Sequence, residues 1–318
     1  MSSDTLTRYH STGSHTHQTA PTRFVEARGI RFAYRRFGKA GGLPLLFNQH
    51  YTGTMDYWDP RVTDGIAKSR EVILFDNAGI SSSSGEVPAT FEEMGANAIA
   101  FIGALGLEKV DVLGFSMGGL VAQEITLQAP ELVRRLILVG TGPRGGEGMQ
   151  PMPPEAARIF SAQYNPPEEL WLAVHFSPSP SGQAAGREFL IRKHLRIKDR
   201  DPEPNDRVGP AQVAAVIRYS EGRVGKYDYL KQIKQPTLVV NGDNDVIVPT
   251  VNSYHLKQHL PNAALILYPD ANHGSQYQYP ELFVEQANQF LSWSLPKPNG
   301  NQAQRSYPTL PPGEGVDE

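Results

Sequence analysis

The sequence predicts an α/β fold with a mostly parallel sheet of eight strands, flanked by helices, and a helical cap inserted after strand six. Three observations support this fold class. Short β-branched or apolar runs alternate with helical patterns, which is typical of a parallel sheet. The inner runs are bounded by turn residues, as expected of buried strands. One interval of roughly 90 residues, between Gly140 and Pro236, has no clear strand pattern and is long for a structureless loop.

The strands follow one another along the chain. The first two form a predicted hairpin over 23–26 and 30–35, which turns at Arg28-Gly29. A helix is predicted from Thr90, because Thr90 and Glu93 form a capping box and apolar residues follow on one face. A helix over 281–293 ends the core. The six remaining strands are predicted over 43–48, 72–76, 110–113, 135–139, 237–240 and 264–268.

The interval without strands predicts a cap. Its helical stretches, 168–175, 186–197 and 211–219, are separated by proline-rich turns, so residues 144–235 are interpreted as a helical cap. The sheet core then comprises 21–143 and 236–295. The polar segments 1–20 and 296–318 are expected to be disordered tails. The tail histidines, His10, His15 and His17, are interpreted as solvated, and metal binding is the alternative.

Composition excludes several classes of protein. The chain of 318 residues has no cysteine, so a disulfide framework, a thiolate nucleophile and a cysteine metal site are excluded. Its 30 Lys and Arg nearly balance 33 Asp and Glu, which disfavours nucleic acid or an anionic membrane as a partner. The N-terminus lacks the apolar stretch of a secretory signal. We expect a cytoplasmic protein with a small-molecule substrate, no metal and no cofactor; the sequence leaves the oligomeric state open.

The motif that carries chemistry is Gly114-Phe115-Ser116-Met117-Gly118, a G-x-S-x-G between a predicted strand and a helical run. This context predicts a strained turn that exposes the Ser116 hydroxyl, with small neighbours where backbones pass closely. The helix N-terminus directs free amides toward the same point, which favours a developing oxyanion. Ser116 is therefore the candidate nucleophile.

A serine needs a base and an acid that orients the base. His273 follows the predicted strand 264–268 at its carboxyl end and is the candidate base. Asp243 and Asp245 both follow the strand 237–240, and Asp245 is favoured because it lies on the part of the loop that can reach His273. The order serine, aspartate, histidine matches the order expected for a nucleophile elbow.

With these residues the chain resembles proteins of the α/β-hydrolase fold over 21–295. The block from Gly114 to Gly119 is similar to the elbow of cofactor-free haloperoxidases, which resemble arylesterases and perhydrolases. The resemblance implies Ser116 as nucleophile, Asp245 as acid and His273 as base, and it implies a variable cap. Haloalkane dehalogenases and epoxide hydrolases of this fold need an aspartate at the elbow, so neither activity is supported.

The sequence departs from the family pattern after the third strand. The family usually has His-Gly there, and this chain has His50-Tyr51-Thr52. The Met117 amide is expected to be one oxyanion donor, and Tyr51 or Thr52 must supply the other. His50 is interpreted as a structural loop residue. In the family motif after the fourth strand an arginine is missing, since the chain reads Asp76-Asn77-Ala78-Gly79.

The cap supplies candidates for substrate binding. Trp171 and Phe176, together with Thr52, are expected to line the substrate pocket, although the two aromatic residues could instead be cap core. The basic cluster of the cap is interpreted as a solvated helix face, with a funnel for anionic substrates as the alternative. It comprises Arg187, Arg192, Lys193, Arg196, Lys198 and Arg200.

The sequence thus predicts a serine hydrolase that cleaves a small ester, lactone or thioester through an acyl-enzyme on Ser116. Two alternatives remain open. One is hydrolysis of a C–C bond by the same three residues, and the other is a ligand-binding, receptor-like protein of the same fold.

Overall fold

The computed structural model describes residues 15–223 and 225–293, and its centre is one sheet of eight strands. They are β1 (Arg23–Ala27), β2 (Ile30–Gly38), β3 (Leu45–Asn48), β4 (Glu71–Phe75), β5 (Val110–Phe115), β6 (Val133–Val139), β7 (Thr237–Gly242) and β8 (Ala263–Tyr268). Their order in the sheet is β1-β2-β4-β3-β5-β6-β7-β8. β2 pairs antiparallel with β1 and β4, and all other pairs are parallel. The predicted eight-stranded, mostly parallel sheet is confirmed.

Helices cover both faces of the sheet. α1 (Pro60–Ala67) packs with α10 (Pro280–Ser292) on one face, and α2 (Phe91–Ala104) packs with α3 (Met117–Gln128) on the other. Successive residues of the buried strands alternate between the two cores, as the two-residue repeat of a strand requires. The Thr90 hydroxyl accepts a hydrogen bond from the Glu93 amide, so the predicted helix start is confirmed. In the described ranges, no helix has the length and apolar character to cross a membrane.

Four helices lie between β6 and β7, in a segment we call the insertion (residues 140–236). They are α4 (Pro154–Ser161), α5 (Glu169–His175), α6 (Pro180–Lys193) and α7 (Val208–Ser220). The sequence predicted three of them, and it missed α4 and also α1 in the core. Two short helices lie outside the insertion: α8 (Val251–His259) follows β7, and α9 (Ser275–Gln278) follows β8. The insertion therefore begins at the carboxyl end of β6 and ends at the start of β7.

Basic residues at the end of α6 pair with the core. Arg192 Nη2 lies 2.7 Å from Asp59 Oδ2, and Arg196 Nε lies 3.7 Å from Asp56 Oδ1. Lys193 is 5 % exposed. The interpretation as a solvated face is wrong for these three cations: carboxylates far away in sequence lie against Arg192 and Arg196, and the Lys193 ammonium lies over the rings of Tyr57 and Trp171. The pairs attach the end of α6 to the core.

Arg35 on β2 is the centre of this buried charge cluster. Its guanidinium contacts Asp56 Oδ1 at 2.5 Å and Asp201 Oδ1 at 2.9 Å, and its side chain is fully buried. Burial, the largest effect, raises the pKa of Asp201 to about 7. Burial also opposes ionisation of Asp56, but the hydrogen bond and charge of Arg35 outweigh it and hold the pKa of Asp56 below its ordinary value. Asp201 connects the segment after α6 to the sheet.

The segment before β1 packs between the insertion and the core. His17 is 2 % exposed, and its Nδ1 lies 3.0 Å from the Thr63 hydroxyl. Arg196 donates hydrogen bonds to the backbone carbonyls of His17 and Gln18. The tail prediction, and the solvated interpretation of His17, are therefore wrong for residues 15–20, because polar contacts hold a segment that has no apolar pattern. The rest of the predicted tails, 1–14 with His10 and 296–318, lies outside the described residues.

Candidate active site

The turn between β5 and α3 has the strained conformation that the sequence predicts. Ser116 adopts φ 55° and ψ −122°, and its amide donates to the Val139 carbonyl at 2.9 Å. A Cβ on Gly114 would lie 2.2 Å from the Gly118 oxygen, and one on Gly118 would lie 2.1 Å from the Asn48 oxygen. Only glycine fits at these two positions, which lets the turn project the Ser116 hydroxyl from the carboxyl edge of the sheet.

Three side chains from separate loops meet at this edge. Ser116 Oγ lies 2.9 Å from His273 Nε2, and His273 Nδ1 lies 2.8 Å from Asp245 Oδ2. A carboxylate only accepts hydrogen bonds, so Nδ1 carries a proton and Nε2 is left to accept from the serine hydroxyl. Asp243, the alternative acid, accepts from the Ala271 amide instead. The structure brings Ser116, Asp245 and His273 together and leaves Asp243 in the turn.

The loop around Asp245 fixes its carboxylate. Asp245 Oδ1 accepts from the amides of Ile247 and Val248, each at 2.9 Å, and the residue is 5 % exposed. Oδ2 is left to His273, which is 2 % exposed. Both carboxylate oxygens therefore have partners, which satisfies the requirement for a buried charge.

Two backbone amides near Ser116 have no hydrogen-bond acceptor among the described residues. Met117 is the first residue of α3, so its amide has no carbonyl one turn back. The Thr52 amide donates to Gln212 Oε1 at 2.7 Å, and the His50 amide donates to Gln49 Oε1 at 2.9 Å. In the described part of the chain no acceptor is recorded for the Tyr51 amide. Of the two expected alternatives for the second donor, Tyr51 is available and Thr52 is occupied.

The cavity at Ser116 has two chambers, which share Ser116, Tyr51, Phe160 and Ile247. The apolar chamber, of about 390 Å³, is lined further by residues that include Met117, Leu120, Met149, Val213, Val216 and Val248. The histidine chamber, of about 210 Å³, is lined further by residues that include His50, Thr52, Tyr57, Trp171, His175 and His273. Among the described residues that line the two chambers, there is no Lys, Arg, Asp or Glu.

Thr52 and Trp171 line the cavity as expected, and Phe176 does not. Phe176 is 1 % exposed and packs against Phe189, at 5.6 Å between ring centroids, and against Gly186. The expectation for Phe176 is corrected: its side chain turns into the α5–α6 core, which the alternative reading allowed. Lys193 is not among the lining residues either; its ammonium lies 4.3 Å from the ring centroids of Tyr57 and Trp171, which do line the histidine chamber.

The sequence missed two histidines of this site. His50, interpreted as a structural loop residue, and His175, assigned to the cap, both line the histidine chamber. Burial, the largest effect, lowers the pKa of His50 to about 3 and lowers that of His175 well below its ordinary value. His50 follows β3 by two residues, so its place at a strand end could have identified it; His175 at the end of α5 carries no such signal. Within 15–223 and 225–293, no group of three or more potential ligands is arranged to hold a metal ion.

Comparison with known proteins assigns the family. A family model described as alpha/beta hydrolase fold matches residues 44–280. The chain belongs to the alpha/beta hydrolase fold family. A solved alpha/beta hydrolase fold protein from Chitinophaga pinensis is 41 % identical, with a TM-score of 0.82 over 87 % of this chain and 99 % of that one.

Two other proteins that are similar to the chain carry names that state an activity. A pimeloyl-[acyl-carrier protein] methyl ester esterase of Nitrosomonas europaea is 31 % identical over 183 residues, 55 % of this chain and 69 % of that protein. A 2-hydroxy-6-oxononadienedioate/2-hydroxy-6-oxononatrienedioate hydrolase of a Pseudomonas species is 26 % identical over 224 residues, 70 % of this chain and 77 % of that protein. The family resemblance expected from the elbow is confirmed.

Proposed function

We propose that the protein is a serine hydrolase that cleaves a small ester, lactone or thioester through an acyl-enzyme on Ser116. The observation that carries this proposal is the continuous row of hydrogen bonds from Asp245 through His273 to the Ser116 hydroxyl. A row of this kind is what converts a weakly nucleophilic hydroxyl into a strong nucleophile.

In the proposed reaction Ser116 Oγ attacks the substrate carbonyl while His273 Nε2 takes the hydroxyl proton. Asp245 stabilises the imidazolium that forms. The carbonyl oxygen becomes an oxyanion, which accepts hydrogen bonds from the amides of Met117 and Tyr51. The bond to the leaving oxygen then breaks as the imidazolium returns its proton to that oxygen. Water repeats the sequence on the acyl-enzyme and releases the acid.

The Tyr51 amide should contribute strongly to the rate of this reaction. Removal of one oxyanion donor costs an acyl-transfer enzyme about 3 kcal/mol, or roughly a hundredfold in kcat. Tyr51 stands where the family usually has glycine, and its amide is not taken by another acceptor in the described structure, unlike that of Thr52. The site therefore keeps two donors despite the altered loop.

The C–C hydrolase relative supports a second candidate, cleavage of a C–C bond next to a carbonyl by the same residues. The substrate in that relative's name is a dicarboxylate. The cavity walls formed by described residues carry no Lys or Arg, so a free carboxylate would be buried there without an ionic partner. This argument favours the uncharged ester over the dicarboxylate.

We also propose that residues 144–235 act as a cap on the site. Gln212 of α7 accepts from the Thr52 amide at 2.7 Å, and the His175 carbonyl of α5 accepts from the Gly274 amide at 2.8 Å. These contacts join the cap to the loops that carry the proposed oxyanion donor and base.

Two measurements test the proposal. A fluorophosphonate probe should label Ser116, and Ser116→Ala should abolish both labelling and turnover of p-nitrophenyl acetate. Ser69→Ala, a serine after α1 and outside the cavity, is the matched control and should behave as wild type. If Ser116→Ala retained most of the activity, the assignment would be wrong. Tight ligand binding without any labelling would instead favour the receptor-like alternative.

A further inference from the structure

The two chambers of the cavity differ in chemistry, and Ser116 lies where they meet. In a tetrahedral intermediate, the oxyanion must face the amide donors and the leaving oxygen must face His273 Nε2, which returns the proton. His273 lines the histidine chamber, whereas Met117 and Leu120 of α3 line the apolar chamber. If the proposed function holds, the leaving group therefore points into the histidine chamber and the acyl group points into the apolar chamber.

We propose that the substrate is an ester with an aliphatic acyl group whose leaving alcohol carries a second hydroxyl, and that His50 and His175 bind this hydroxyl. The inference rests on the proposed function and adds to it the substrate class and two specificity residues. A charged acyl group is excluded from the apolar chamber by the uncharged, mainly aliphatic wall of its described residues.

The hydrogen bonds of His50 determine what its free nitrogen requires. Nδ1 lies 2.8 Å from the Tyr51 carbonyl oxygen, which can only accept, so Nδ1 carries the proton. Since burial keeps the ring neutral, Nε2 holds a lone pair and is an acceptor. His50 is 8 % exposed, and Nε2 has no hydrogen-bond partner among the described residues. A buried acceptor in this state is destabilising until a donor reaches it.

His175 offers the complementary group. Its ring centroid lies 5.3 Å from that of His50 and 5.8 Å from that of His273, and it is 5 % exposed. Its Nδ1 also lacks a partner among the described residues. A neutral imidazole can carry its proton on either nitrogen, so His175 can hold it on Nδ1 and donate where His50 accepts. A hydroxyl is the smallest group that satisfies both, because it donates one hydrogen bond and accepts another.

The remaining walls of the histidine chamber limit the size and charge of the alcohol. The rings of Tyr57 and Trp171 form part of its wall, and at about 210 Å³ it is roughly half the volume of the apolar chamber. Both histidines are uncharged, so they select a hydroxyl rather than a carboxylate or phosphate. A short diol or polyol fits these limits.

The test compares three hexanoate esters with matched alcohols: 3-hydroxypropyl, butyl and 3-methoxypropyl hexanoate. Titration of released acid gives kcat/KM for each. We expect the hydroxypropyl ester to exceed the butyl ester by about tenfold or more, because one well-made hydrogen bond to a buried group is lost in the butyl ester. The methoxy ester should resemble the butyl ester, since it cannot donate to His50.

Variants then show which residue causes the preference for the hydroxypropyl ester. His50→Phe removes both ring nitrogens at similar volume and should reduce the hydroxypropyl-to-butyl ratio to about one. His194→Phe is the matched control: His194 is 43 % exposed, pairs with Glu168 and does not line the chamber, so the wild-type ratio should remain. The wild-type ratio is informative even if the His50 variant fails to fold.

The outcomes separate this inference from the proposed function. Absence of Ser116 labelling by a fluorophosphonate would refute the proposed function itself. Labelling and ester turnover with a wild-type ratio near one would overturn only the inference about the histidines. A His50→Phe variant that keeps the ratio but alters the preference between acetyl and hexanoyl esters would show that the chambers hold the opposite ends of the substrate, which also overturns it.

Discussion

Replacement of Gly118 by alanine should both inactivate and destabilise the protein. The added Cβ would lie 2.1 Å from the Asn48 carbonyl oxygen and 2.5 Å from its carbonyl carbon, whereas non-bonded carbon atoms pack at about 3.5–4.0 Å. The obstructing atoms are backbone, so the start of α3 and the end of β3 must separate by about 1 Å or more. Overpacking of this kind costs about 1–3 kcal/mol of stability.

The same separation acts on the proposed oxyanion donors. Met117 immediately precedes Gly118, and Tyr51 follows Asn48 by three residues, so one amide lies on each side of the clash. A misplacement of about 1 Å can cost roughly a hundredfold in rate. We therefore expect kcat/KM for p-nitrophenyl acetate to fall by about a hundredfold or more in Gly118→Ala, with a lower urea midpoint.

Gly103→Ala is the matched control for this variant. Gly103 lies in α2, and nothing lies within 4 Å of a Cβ placed there. Its replacement should leave kcat/KM unchanged and stabilise the protein by about 0.4–1 kcal/mol. If Gly118→Ala matched the wild type in both assays within about twofold and 0.5 kcal/mol, the close approach at the elbow would not control the positions of the oxyanion donors.

Three further predictions follow from the site and the charge cluster. Asp245→Asn should lower kcat by about 10⁴-fold through loss of the required imidazole tautomer, with little change in the urea midpoint; a drop below tenfold would contradict this. Arg35→Met should lower the free energy of unfolding in urea by about 3–5 kcal/mol, because it leaves the buried carboxylate of Asp201 without a cation in contact and that of Asp56 with only the more distant Arg196; a loss under 1 kcal/mol would refute it. His17 has a folded-state pKa of about 3, below the unfolded value of about 6.5, so the unfolded chain binds the proton first and stability falls as pH drops from 6.5 toward 3. His17→Asn should remove about 2 kcal/mol of the stability lost between pH 7 and pH 5, and identical pH profiles for the variant and the wild type would count against this reasoning.

The parts of the fold that could be predicted depend on signals contained in a few neighbouring residues. The turn at Ser116 follows from five consecutive residues, and the hairpin of β1 and β2 follows from Arg28-Gly29 at the turn. His273 and Asp245 were accessible because each follows a buried strand, and parallel strands bring such residues to one edge. α1 also had a local signal that was overlooked: Asp59 caps it and Pro60 is its first residue.

The parts that could not be predicted depend on partners that are distant in the sequence. Arg192 and Asp59 are separated by 133 residues, and the spacing of charges on α6 is the same whether that face meets water or carboxylates. Phe176 is apolar whether it lines a cavity or a core. The direction of a side chain inside the insertion depends on how its helices pack, and no periodic pattern in the sequence records that packing.

The buried segment before β1 has a consequence for where a shortened form of the protein can begin. The first strand starts at Arg23, which makes residue 21 an attractive starting point. Removal of residues 15–20 would, however, strip Arg196 of two carbonyl acceptors and uncover the side of the charge cluster where His17 now excludes water. Ion pairs now shielded from water hold the end of α6 to the core. Without residues 15–20 these pairs would be exposed to solvent, and solvent-exposed ion pairs contribute far less to stability. A truncated protein that keeps the end of α6 attached to the core should therefore begin at or before residue 15.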